Sequence, residues 1–472
     1  MQNAIFYSYI CTIIIKRRKR MNTKRLTITL LVALAMSTIA TAQQRPTARE
    51  ELKANRFLSA SNYLDYDNYP ATVPLTPAPK GYEPYLMNHY GRHGSRWLIN
   101  ESSYSRPLET LRKADAQGKL TATGKDVLRQ VEAIQATSVK RLGDLSTVGE
   151  RQHHGIGRRM VEHFPEIFKK PGIPVDARST VVIRCILSMV AECEELAAAN
   201  PTARFHNDAS ESLQYYLNQP RLDYLKEVRK NTRNVRRELT RQFQEQVQTD
   251  RFTAQLFSDP AWTADSVKAS TLMSDLFEIA SNMQSHDLGL DLYPLFTDDE
   301  IYDQWRIRNI GWYLDYGPAT AGGSVQPFSQ LNLLKDIIEV ADTTRQTAAV
   351  LRFGHEVCVM PLACLLELGH CGYATDNMET LDEHWRNYDI FPMACNIQLV
   401  FYRPVSGKKG DTLVKALLNE REVTLPIETR QYPYYRWQDL RKYYTEKIAA
   451  YEAKVRAFEE HQQSERRDDA NQ

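Results

Sequence analysis

Tyr90-Gly-Arg-His-Gly-Ser-Arg96 stands directly behind an apolar run, residues 82–88, that reads as a buried strand. Gly91 and Gly94 break the run, and a polar segment with helical spacing follows, so the local order is strand, glycine-bearing loop, helix. That order points to an α/β sheet, in which ligands bind at the carboxyl ends of strands. Two arginines and a histidine occupy the loop at such an end. Arg92 and Arg96 suit planar, bidentate recognition of a phosphoryl group, and His93 between them suits attack on phosphorus. Gly91 and Gly94 allow the backbone to approach an anion closely.

The surrounding chain alternates in the same way. Residues 123–141 and 147–169 carry helical spacing, 175–178 form a short extended piece, and 181–199 form an apolar helix that stops at Pro201. Residues 222–248 lack glycine and proline and are thick with Arg, Lys, Glu and Gln, as a solvated amphipathic helix would be. A helix over 329–341, a compact strand over 348–353, an apolar helix over 357–368 and a strand over 396–402 restore the sheet pattern. The expected architecture is an α/β sheet core with helices on both faces, built from 81–204 and 323–435. An α-helical cap inserts at 205–322, and a charged helix with a polar tail fills 436–472. Residues 43–80, dotted with Pro70, Pro74, Pro77 and Pro79, read as a lead-in rather than a packed element.

Composition narrows the partners. With 472 residues, 42% hydrophobic and 25% charged, the chain is globular, and disordered, collagen-like and coiled-coil readings are excluded. Residues 1–42 carry seven basic and no acidic side chains. Without them 53 basic residues face 58 acidic ones, a net charge of −5. No chain-wide basic field then attracts nucleic acid or anionic lipid, and anion binding must come from a local cluster. Residues 21–42, a basic start, an apolar stretch over 26–39 and Ala40-Thr-Ala42, read as a cleavable export signal, with 1–20 an upstream extension. The apolar stretch is shorter than the roughly 20 residues of a spanning helix, so an exported, membrane-free protein is expected. The seven cysteines are too irregularly spaced for a disulfide framework, leaving room for one or two bridges.

The His93 loop resembles the RHGxR signature of the histidine phosphatase superfamily, specifically its histidine acid phosphatase branch, which includes phytases and multiple inositol polyphosphate phosphatases. Three further segments follow in the family's order. Leu145-Ser-Thr-Val-Gly149-Glu-Arg-Gln152 resembles its LTxxGxxQ helix start, 178–188 the segment that supplies another arginine, here Arg184, and Arg352-Phe-Gly-His355-Glu356 its second-histidine motif. The resemblance implies a core of phosphoglycerate mutase type under a helical cap. It also implies a two-step hydrolysis through a phosphohistidine on His93, with Arg92, Arg96, Arg184 and His355 binding the phosphoryl oxygens and no metal or other cofactor. Glu356 would be the proton donor. It departs from the family's His-Asp and His-Ala-Glu forms, so a role in orienting His355 or capping the next helix stays open. A carboxyl beside phosphate is expected to have a raised pKa.

The substrate expected from the resemblance is a small phosphomonoester, foremost phytate or a related inositol polyphosphate. A broad-specificity acid or sugar phosphatase and a non-catalytic phosphate-binding module are the alternatives. Oligomeric state is not legible. His153-His154 read as a helix-surface pair rather than metal ligands. His89, His206, His286, His370, His384 and His461 read as solvated or hydrogen-bonded structural residues.

Overall fold

The computed structural model describes residues 45–68, 73–220, 222–405 and 409–470; the expected export signal lies outside them. An eight-stranded sheet forms the centre. Strand β1 is Tyr82–Arg92, β2 Pro174–Ser179, β3 Arg204–Asp208, β4 Ala348–Gly354, β5 Asn396–Pro404, β6 Leu413–Leu418, β7 Arg421–Val423 and β8 Tyr435–Arg436. The order is β3-β2-β4-β1-β5-β6-β7, with β8 also on β6. The pairs β3/β2, β2/β4 and β4/β1 are parallel, whereas β1/β5 and all pairs beyond it are antiparallel. Register matters most at β1 and β4. Arg92 lies opposite Gly354, so His93 and His355, the residues that follow, emerge side by side at the carboxyl edge.

Helices α1 (Ala48–Ala54), α2 (Ser102–Ala116), α3 (Ala122–Ser138), α4 (Thr147–His163) and α5 (Ile183–Ala199) belong to the first half of the chain. From residue 209 to 347 the described chain contributes helices and no strand. Among them are α6 (Asp223–Asn231), α7 (Arg233–Gln244), α8 (Asp250–Leu256), α9 (Pro260–Ser266), α10 (Ala269–Met283), α11 (Asp298–Tyr316) and α12 (Leu331–Thr343). Helix α13 (Glu356–Leu365) follows β4 and α14 (Trp437–Ala470) ends the chain. Three apolar clusters fill the interior. One joins β1, β5 and β6 to α12, α13 and α14; a second lies under α4 and α5 on the other face; the third joins α2, α3, α8, α10 and α11. Among the described residues no helix is long and apolar enough to cross a membrane.

Several expectations are corrected. Strand β1 continues through Gly91 to Arg92, and the next helix starts only at Ser102, because His93–Asn100 is an extended loop crossing the sheet edge. The stretch 222–248 is two helices meeting at Thr232, not one. Position 205, expected to open the insertion, lies inside β3. The lead-in is packed: Leu52, Leu58, Ala60, Tyr63 and Leu64 are buried in the cluster of α2, α3, α10 and α11. His153 is not a surface residue; it is buried, with Nδ1 3.0 Å from Glu192 Oε2. His89 is buried with neither ring nitrogen hydrogen-bonded, so it is neither solvated nor hydrogen-bonded. Six cysteines, 185, 193, 358, 364, 371 and 395, are free and buried.

Candidate active site

All six residues singled out in the sequence meet at the carboxyl edge of β1 and β4. Arg92 ends β1; its Nη1 donates to the carbonyls of Asn62 (2.6 Å), Phe391 and Pro392 (3.2 Å each). Its Nε lies 3.0 Å from Glu356 Oε2, and Nη2 has no hydrogen-bond partner. The His93 backbone N–H donates to the Gly354 carbonyl at 3.0 Å, so the two strand ends are tied together at the site itself. His93 Nδ1 donates to the carbonyl of Gly94 at 2.8 Å, which leaves the Nε2 lone pair without a hydrogen-bond partner, 3.7 Å from Glu356 Oε2. His355 lies with its ring centroid 5.6 Å from that of His93, and its Nε2 lies 3.4 Å from Thr180 Oγ1. Arg96 packs over the Tyr63 ring, and Arg184 on α5 donates to the Gly143 carbonyl at 3.3 Å. The Nε of each has no hydrogen-bond partner.

Charge is unbalanced by design of the sequence. Three guanidiniums face one carboxylate. Burial drives the imidazole of His93 well below its ordinary pKa, and Arg92, Arg184 and Arg96 push in the same direction, so the ring is neutral. His355 is lowered to about 4, again by burial first, with the arginines adding to it and Glu356 opposing. Glu356 shifts down, because the arginines dominate it. Burial would raise it, but Arg92, Arg96 and His355 outweigh burial and hold it at about 2, ionised whenever no phosphate is bound. Ring nitrogens of His93 and His355 and a Glu356 oxygen lie within 4.8 Å of one another, a spacing metal ligands also use. The net charge of about +2 around them suits an anion instead.

Residues quoted in the motifs but given no role prove to hold the loop. Gln152 accepts from the Ser95 backbone N–H at 2.9 Å and donates to Ser95 Oγ at 2.9 Å and to Asp65 at 2.5 Å. Ser188 accepts from the Gly94 N–H at 3.1 Å and donates to the Arg184 carbonyl at 2.8 Å, coupling two arginine-bearing elements. Arg352, the first residue of the RFGHE string, is buried and bonded to Asp336 and Asn88 rather than to the site residues. The Asn62 carbonyl and Tyr63 come from the supposed lead-in and carry no motif, so only the fold reveals them.

The profile of the histidine phosphatase superfamily (branch 2) matches residues 91–419. The chain belongs to this superfamily, and with it to the phosphatases. No curated protein matches it by sequence. In fold it is similar to the multiple inositol polyphosphate phosphatase of Bifidobacterium longum in complex with phosphate, at 20% identity over 82% of this chain and 97% of that one, with a TM-score of 0.62. The same enzyme in complex with inositol hexasulfate gives 18% identity, the same coverage and 0.63. The phytase from D. castellii gives 14% identity over 88% and 89%, with 0.61.

Proposed function

We propose that the chain hydrolyses phosphomonoesters through a phosphohistidine on His93, and that inositol polyphosphates such as phytate are its substrates after export. The observation that carries the reaction is the unpartnered Nε2 of a neutral His93, set among Arg92, Arg96 and Arg184 and 3.7 Å from Glu356. A phosphoryl group bound by the arginines and His355 presents phosphorus to that lone pair. The Nε2–P bond forms as the P–O bond to the alcohol breaks, and Glu356 gives the departing oxygen a proton. Fixed positive charge stabilises the equatorial oxygens in the transition state. Water, deprotonated by the Glu356 carboxylate, then takes the phosphoryl group from His93 and frees inorganic phosphate.

Glu356 is ionised in the free pocket and must be protonated to act. Binding a phosphoryl group supplies the change, because its negative charge takes up the arginines that hold the carboxyl down. Support for the substrate comes from the likeness to the Bifidobacterium longum enzyme and from a pocket that carries net positive charge. Support for export comes from the signal-like residues 21–42. The test is phosphate release from phytate and a panel of simple esters, with EDTA present and His93→Ala as control. His93-dependent release strongly favouring phytate is expected. Comparable release from every ester would make it a broad-specificity phosphatase.

A further inference from the structure

Outside the six site residues, the segment preceding β1 makes an unexpected intrusion. Residues Arg56–Tyr63 form 3-10 turns interrupted at Ser61, whose φ of 60° and ψ of −118° place a non-glycine residue in the left-handed half of backbone space. The residue is fully buried. Such a conformation persists only where the surroundings over-determine it, and such residues cluster at functional sites. Here the surroundings are explicit. Ser61 Oγ accepts from Asn387 Nδ2 at 2.6 Å, and the Ser61 carbonyl accepts from the Leu64 N–H at 3.1 Å. Asn387 is itself fixed on two sides: its Oδ1 accepts from Trp305 Nε1 at 2.9 Å, and its N–H donates to Asn309 Oδ1 at 2.8 Å. Trp305 and Asn309 both stand on α11.

The turn has one consequence at the pocket. It delivers the Asn62 carbonyl to Arg92 Nη1 at 2.6 Å, the shortest of the three bonds on that nitrogen. A guanidinium is a rigid plane, so pinning one nitrogen sets the directions of the other two. These are the Nε that lies beside Glu356 and the Nη2 left without a partner. We propose that Ser61 is a positioning residue: locked by Asn387, it holds the Asn62 carbonyl on Arg92 and so aims the guanidinium at the phosphoryl group and at Glu356. The inference rests on the reading of Arg92 as a phosphoryl ligand.

The test compares Ser61→Ala and Ser61→Gly with the unaltered protein. Alanine loses the hydroxyl and tolerates the φ value poorly. Glycine also loses the hydroxyl but adopts that φ freely. For nitrophenyl phosphate, kcat/KM of Ser61→Ala should fall about 10- to 100-fold, the range in which a misplacement of about an ångström acts. Ser61→Gly should fall less. Affinity for inorganic phosphate, measured by calorimetry on the same samples, should weaken in step. A merely structural Ser61 would lower the unfolding temperature and leave both quantities unchanged per folded molecule, which would overturn the proposal. If Ser61→Ala does not fold, Ser61→Gly decides alone: wild-type kcat/KM and phosphate affinity in it overturn the proposal. An unaltered protein that neither hydrolyses the ester nor binds phosphate would instead overturn the reading of Arg92, and this inference with it.

Discussion

Glu356 is where the chemistry of single residues is most exposed to test. Its carboxylate lies 3.0 Å from Arg92 Nε and 3.7 Å from His93 Nε2, so a proton placed on it by substrate binding is close to the reacting centre. Replacing it by glutamine keeps the shape and removes the acid. Glu356→Gln should therefore lose about 10²- to 10⁴-fold in kcat on alkyl phosphates, the range of general acid catalysis, and far less on nitrophenyl phosphate, whose leaving group needs little protonation. Equal losses on both esters would remove Glu356 from the donor role. The free carboxyl is held at about 2, so across ordinary pH it arrives without a proton, and the proton has to enter with the substrate. Phosphomonoesters lose their second proton near pH 6. For an alkyl ester kcat/KM should fall as pH rises through about 6, and a pH profile flat to pH 8 would contradict this account. The pairing itself was half legible: the sequence places Glu356 next to His355, but the ion pair that sets its charge joins residues 264 positions apart in the chain.

At the scale of elements, the crossing of the His93 loop over the start of α4 sets the pocket's shape. A Cβ on Gly149 would lie 2.3 Å from the Ser95 carbonyl oxygen and 2.6 Å from its nitrogen, and one on Gly94 would lie 2.4 Å from the Gly149 carbonyl oxygen. Neither contact involves a flexible side-chain end, so the backbones must part. Gly149→Ala should cost about 1–3 kcal/mol of stability as an overpacked contact does. It should also lower activity by displacing Ser95 from Gln152, and urea unfolding run beside an esterase-type phosphate assay measures both. Both glycines stand in the recognised strings, which is why this junction was readable. Strand β6, Leu-Val-Lys-Ala-Leu-Leu over 413–418, was not. It is buried on both faces and so lacks alternation, and its lysine is buried against Glu422, a partner the sequence does not reveal. Residues 48–63 escaped for a related reason. Their buried polar members, Ser59, Ser61 and Asn62, look like loop residues until the tertiary partners are known.

Over the whole molecule three buried histidines and the half-buried His286 tie stability to pH. Burial lowers His89 to about 3, with His153 and Arg352 adding to the effect; it lowers His286 and His355 to about 4 and His93 further. In the unfolded chain each titrates near 6.5. Between these limits the unfolded state binds protons that the folded state refuses, so folding stability is full above about pH 6.5 and drains away as pH falls toward 4. Each such group contributes a slope of up to about 1.4 kcal/mol per pH unit across that window. His89 allows the contribution to be isolated, because it lies outside the pocket and neither of its ring nitrogens has a hydrogen bond to lose. His89→Leu should leave phosphatase activity near that of the unaltered protein and flatten the fall of the unfolding free energy between pH 6.5 and 4 by about one proton's worth. If the two proteins instead differ by the same free energy at every pH in that window, His89 is not among the groups that titrate on unfolding, and the acid sensitivity belongs to His93, His286 and His355.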